Sequence, residues 1–160
     1  MPLYADAREF FEAVAEASRD AERVKRQLDA LEQRAIGMGG GGFEPRVRST
    51  PAHDRMGNAV AALVDRETKR HARIEEDYRL IDKAVAVLYG DGLSDGLASL
   101  APAWWADVLD LRYIEGMKWA EVGAAVCYSP SHCRLTANAA LDLLDAHGEL
   151  FTARGIGLAT

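Results

Sequence analysis

Two long stretches of the chain repeat apolar residues every three and four positions, with charged residues filling the gaps. In the first, Phe10, Val14, Ala17, Ala21, Val24, Leu28, Leu31 and Ala35 alternate steps of four and three. A 3.5-residue period held this long marks a coiled-coil-like seam and predicts a helix over residues 4–35. In the second, Val60, Val64, Glu67, His71, Ile74, Tyr78, Ile81, Val85 and Leu88 step in the same way, predicting a helix over 54–89. Glu67 and His71 are polar at seam positions, where such residues can set register or partner choice. His71 fits a surface position beside a slightly rotated seam equally well. Between the two stretches, five of the six residues 37–42 are glycine. Each glycine costs a helix ~1 kcal/mol against alanine, so this is a flexible link. Residues 43–51, bracketed by Pro45 and Pro51, read as extended. Two amphipathic helices joined this way close as an antiparallel pair. One seam leaves apolar surface over, so either a homodimer through the long helices or packing on the rest of the chain is expected.

The pattern changes after residue 89. Residues 90–101 hold three glycines and two aspartates and mark a boundary, with Leu93, Leu97 and Leu100 spaced for a short helix. Pro102 precedes a helix expected over 103–114, opened by Trp104 and Trp105. One tryptophan is expected to pack on Trp119 and the other to cover the hairpin. A turn at Glu115-Gly116, a helix over 119–126, a second turn at 127–130 and a helix over 129–144 follow. Ser129 can cap that last helix, because its hydroxyl can accept from free backbone N–H groups of the first turn. Pro130 falls at the first helical position, where its missing N–H costs nothing. Leu109, Tyr113, Trp119, Val122, Val126, Cys133, Leu141 and Leu144 supply the buried faces. Helix, short turn, helix is the helix-turn-helix pattern. The expected fold is therefore all-α: a long antiparallel helical hairpin, coiled-coil-like, followed by a C-terminal helix-turn-helix bundle. The expected domains are 1–90, 101–147 and a tail at 148–160 that is frayed or loosely docked.

Composition narrows the classes. Apolar residues make up 49% and charged residues 28% of 160, as in an ordinary soluble chain. No run of eighteen apolar residues and no basic-then-apolar leader occurs, so a cytoplasmic protein without membrane contact is expected. Cys127 and Cys133 lack a zinc spacing and read as two small buried residues, with no metal and no cofactor expected. The histidines at 53, 71, 132 and 147 are scattered and no carboxylate pair stands out, so no enzyme is expected. The net charge is −6. Residues 43–83 carry nine basic and eight acidic side chains, whereas residues 101–160 carry four and seven. The helix-turn-helix segment is thus net −3, which is low for a DNA reader, since phosphate neutralisation supplies much of such affinity.

The helix-turn-helix carries a more specific signal in Leu111-Arg112-Tyr113-Ile114-Glu115-Gly116, Trp119-Ala120-Glu121-Val122-Gly123, Tyr128-Ser129 and Ala140-Leu141. On these residues the stretch 108–144 resembles region 4 of sigma-70-type transcription factors. It looks still more like the small sigma-region-4-like regulators of bacteriophages and prophages. Arg48-Ser49-Thr50-Pro51 with Asp54-Arg55-Met56 is a weaker echo of the same proteins. The resemblance implies a DNA-binding transcriptional regulator working with RNA polymerase, which sigma region 4 also touches. The groove-facing candidates are Ser129, Pro130, Ser131, His132, Arg134, Leu135 and Asn138. Arg134 can read guanine through O6 and N7, and Asn138 adenine through N6 and N7. Ser131 and Lys118 suit phosphates, and Arg46 with Arg48 suits a basic arm on double-stranded DNA. The alternative is a helical protein-interaction module or small packaging (terminase-like) subunit without enzymatic activity.

Overall fold

The computed structural model describes residues 3–38 and 52–159. The basic arm residues Arg46 and Arg48 lie outside them. A short strand, β1 (Leu3–Tyr4), leads into α1 (Ala7–Met38), and α2 (Ala52–Tyr89) returns beside it. Shorter helices follow: α3 (Leu97–Leu100), α4 (Ala103–Leu109), α5 (Trp119–Val126), α6 (Pro130–Ala146) and α7 (Glu149–Thr152). The last element is β2 (Gly157–Leu158). The fold is all-α, a long antiparallel hairpin followed by a helix-turn-helix bundle, with one two-residue parallel bridge between β1 and β2.

Helix α1 starts three residues later than its periodicity suggests. Asp6 caps it, its carboxylate accepting from the Glu9 N–H at 2.8 Å. The Glu9 carboxylate accepts in turn from the Ala5 N–H. This reciprocal arrangement satisfies donors that the first turn leaves free. Tyr4 is consequently strand, not helix.

The chain divides into two compact units that cut across the long helices. One unit holds residues 1–19 and 77–160, the other residues 20–76. In the first, Phe10, Phe11 and Val14 on α1 meet Ala84, Val87 and Leu88 on α2 and the buried faces of α4, α5 and α6 in one core. Burying each such Leu, Val or Phe side chain contributes ~1.5–3 kcal/mol. In the second unit, Ala21 and Val24 are buried while Leu28, Leu31, Glu67, Arg70 and Ile74 are half-buried.

From Phe10 to Leu31 the α1 seam runs as its spacing predicts, Ala35 lying outside the described side chains, but the α2 seam is rotated. Residues 67, 74, 81 and 88 face inward as expected, yet 70, 77 and 84 take the places expected for His71, Tyr78 and Val85. His71, Tyr78 and Val85 are exposed, as are Val60 and Val64. Both registers keep steps of three and four. The small Ala84 at the contact favours close approach of the helices, which Val85 would hold apart.

Of the two expectations for the tail, frayed or docked, the structure shows it docked. Leu150, Phe151 and Ile156 are buried, and the Ala159 N–H donates to the Tyr4 carbonyl at 2.8 Å. The Arg154 guanidinium is buried too. It donates to the carbonyls of Leu150 (2.7 Å), Asp95 (3.1 Å) and Ser94 (3.3 Å), with Asp91 at 3.8 Å. Of the three leucines expected to dock between residues 90 and 101, only Leu97 is buried, and Leu93 lies in open solvent.

Candidate nucleic-acid interface

The helix-turn-helix is built by three local devices. Helix α4 widens at its end into a π-helical turn, Asp110–Ile114, and the chain reverses at Gly116, whose φ of +71° is a left-handed conformation that glycine adopts without strain. The Arg112 guanidinium then braces that reversal: it donates to the Met117 carbonyl at 2.9 Å and lies 4.7 Å over the Trp119 ring. Lys118 precedes α5, and its N–H donates to the Glu121 carboxylate at 2.8 Å.

The turn between α5 and α6 is tight. Cys127 ends α5 in the left-handed region at φ 63°, ψ 37°, a place usually taken by glycine or asparagine. It is exposed, so the expectation that both cysteines are buried holds only for Cys133. Burial raises the Cys133 thiol above its ordinary value. The turn carbonyl of Tyr128 presses against α5 at Gly123, where a Cβ would sit 2.6 Å from it. Ser129 caps α6 as expected, its hydroxyl accepting from the His132 N–H at 3.2 Å, with Pro130 at the first helical position.

Helix α6 buries Cys133, Thr136, Ala137, Ala140, Leu141 and Leu144 and turns its other face to solvent. Ser131, Arg134, Leu135 and Asn138 are all exposed and, at steps of three and four, share that face. Leu135 is 67% exposed, unusual for a leucine in the middle of a packed helix. His132 does not stand alone in solvent. Its ring lies 5.1 Å from Tyr128 and 5.7 Å from Trp104, and Trp104 stacks on Tyr128 at 4.4 Å. Trp104 thus covers the turn. Trp119 is flanked by the guanidiniums of Arg112 and Arg134, the latter 5.9 Å from its centroid.

The structure brings Ser129 to Asn138 together at the start of α6 and places Lys118 at the start of α5, away from the turn. It adds a residue that spacing does not reveal. Arg8 of α1 donates to the Asn138 side-chain carbonyl at 2.8 Å, setting a cation at the exposed side of α6 that Asn138 lies on. The two partners are 130 positions apart, and no local pattern marks Arg8.

A carboxylate pair lies on α4 and the π-helical turn. The Tyr89 hydroxyl donates toward Asp107 (2.8 Å) and Asp110 (3.1 Å). Burial first, then the hydrogen bond to Asp107, holds that phenol above its ordinary value. Burial also raises the Asp110 carboxyl; the Tyr89 hydrogen bond opposes this, and the neighbouring charges of Glu115 and Asp107 add to it. A carboxyl raised on folding costs stability above its folded value, and the cost vanishes below its unfolded value. Asp110→Asn is therefore expected to raise the melting temperature at pH 7, with the advantage shrinking to nothing as pH falls through the carboxylate range. Thermal melts of both chains from pH 7 to 3 check this.

Among the described residues no group of three or more metal-ligating side chains gathers, and no helix is long and apolar enough to cross a membrane. No family model, curated protein or solved structure matches the chain.

Proposed function

We propose that the chain is a DNA-binding transcriptional regulator of the sigma-region-4-like kind, with α6 as its major-groove helix and RNA polymerase as a partner. The observation that carries this reading is the solvent-facing side of α6. A helix capped at Ser129 and packed on α5 presents Ser131, Arg134, Leu135 and Asn138 outward. Arginine and asparagine there suit guanine and adenine edges, and an exposed leucine suits a thymine methyl.

A mobility shift at low salt, begun with a randomised duplex pool, tests the reading. Arg134→Ala is expected to weaken binding to the selected site by ~1–3 kcal/mol and to relax the base preference at one position. Failure of every duplex to bind at low salt rejects it.

Self-association through the long helices belongs to the same proposal. Ile36 on α1 and Val60, Leu63 and Val64 on α2 are exposed apolar side chains, and burying them between two copies would remove them from water. Solution mass distinguishes the readings: a monomer or dimer supports the regulator, whereas a ring of many copies supports the packaging alternative.

A further inference from the structure

The unit of residues 20–76 contains an open groove of about 250 Å³ between α1 and α2. Four of its six lining side chains are cations: Arg23, Lys69, Arg70 and Arg73. Gln27 adds a neutral donor and Val24 the apolar floor. Two carboxylates answer part of this charge. Asp20 accepts from both Arg23 and Arg73, and Asp65 pairs with Lys69 at 3.1 Å. Among the lining cations and their ion-pair partners, positive charges outnumber negative by two.

Arg70 is the informative member. It occupies a seam position on α2, where the heptad pattern calls for an apolar residue, and it is half-buried. Among the described residues it makes no ion pair. Glu67 lies one turn away on the same face but makes no ion pair with Arg70, and a half-buried cation without an ion-pair partner gains when an anion enters. Guanidinium forks match phosphate oxygens in pairs, and a lysine adds a point charge.

We propose that this groove binds phosphate oxyanions, such as those of a nucleic-acid backbone or a free polyphosphate. The proposal does not depend on α6 reading DNA. The concave, two-helix geometry supplies donors from both sides, which a cation row on one helix would not.

The test measures tripolyphosphate binding by calorimetry and 20-bp duplex binding by fluorescence anisotropy, both on the full chain. It compares wild type, Lys69→Gln, Lys69→Gln/Arg70→Gln and Arg70→Lys, with circular dichroism to confirm folding. The double variant is expected to bind at least roughly ten-fold more weakly, with the log–log salt slope for duplex reduced by about two. Lys69→Gln, an exposed change, reduces the slope by about one, and Arg70→Lys retains binding. Arg134→Ala, which leaves the groove intact, keeps its tripolyphosphate affinity even if α6 reads no DNA. Loss of duplex binding, with tripolyphosphate competing in wild type, assigns a nucleic-acid backbone. Loss of tripolyphosphate binding alone assigns a free polyphosphate. Equal affinities of wild type and the double variant for both probes overturn the proposal, as does failure of wild type to bind either probe.

Discussion

Phe151→Ala is expected to lower the unfolding free energy by about 3–5 kcal/mol, the largest effect of any single change considered. Phe151 is fully buried although only nine residues follow it in the sequence. Its ring meets Phe10 edge to face at 5.4 Å, and Phe10 meets Tyr4 and Phe11 in the same way at 5.3 and 5.2 Å. Truncation leaves a cavity bounded by rings held from other directions, so the site cannot collapse to fill it. The edge-to-face pair itself adds ~0.5–1.5 kcal/mol beyond area burial. A frayed tail would lose almost nothing. Denaturant unfolding of wild type and variant at equal m separates the two outcomes.

The tail was illegible in the sequence for a definite reason. Phe151, Arg154 and Ile156 follow neither a two-residue nor a 3.6-residue period, and each acts through a distant partner. Arg154 bonds carbonyls of residues 94 and 95, about sixty positions away. The α2 seam misled in a different way. Tyr78 and Val85 are apolar and correctly spaced, and nothing in the chain reveals that Asp77 and Ala84 turn inward instead. The α1 seam was legible because its apolar residues hold steps of four and three over several turns, although Phe11, off that register, is fully buried as well. The helix-turn-helix was the most legible part. Ser129, Pro130 and Gly116 each act on their own backbone within a turn, and local chemistry of that kind does not need the rest of the fold. Arg8 beside Asn138 shows the converse: a residue can join the candidate interface without any local mark.

Gly123→Ala is expected to destabilise the protein by about 3 kcal/mol and to abolish any DNA binding by α6. The sign is what makes the test sharp. Glycine within a helix ordinarily costs ~1 kcal/mol against alanine, so propensity alone predicts that the change stabilises α5. Packing opposes this. The added Cβ would lie 2.6 Å from the Tyr128 carbonyl oxygen and 3.3 Å from the Pro130 nitrogen, both backbone atoms of the turn. Backbone cannot rotate away as a side chain can. Either α5 and α6 separate, which unpacks Val122 and Cys133, or the turn shifts and changes the direction in which α6 leaves it. Gly57 in α2 provides the control, because a Cβ there meets nothing within 4 Å. Gly57→Ala is expected to leave α6 untouched and to stabilise by about 0.5–1 kcal/mol. Opposite signs for the two substitutions in the same denaturation experiment identify the α5–α6 turn as a close-packed junction. A stabilised Gly123→Ala chain shows instead that the turn is loose, and a loose turn cannot hold Arg134 and Asn138 in the fixed geometry that reading base edges requires.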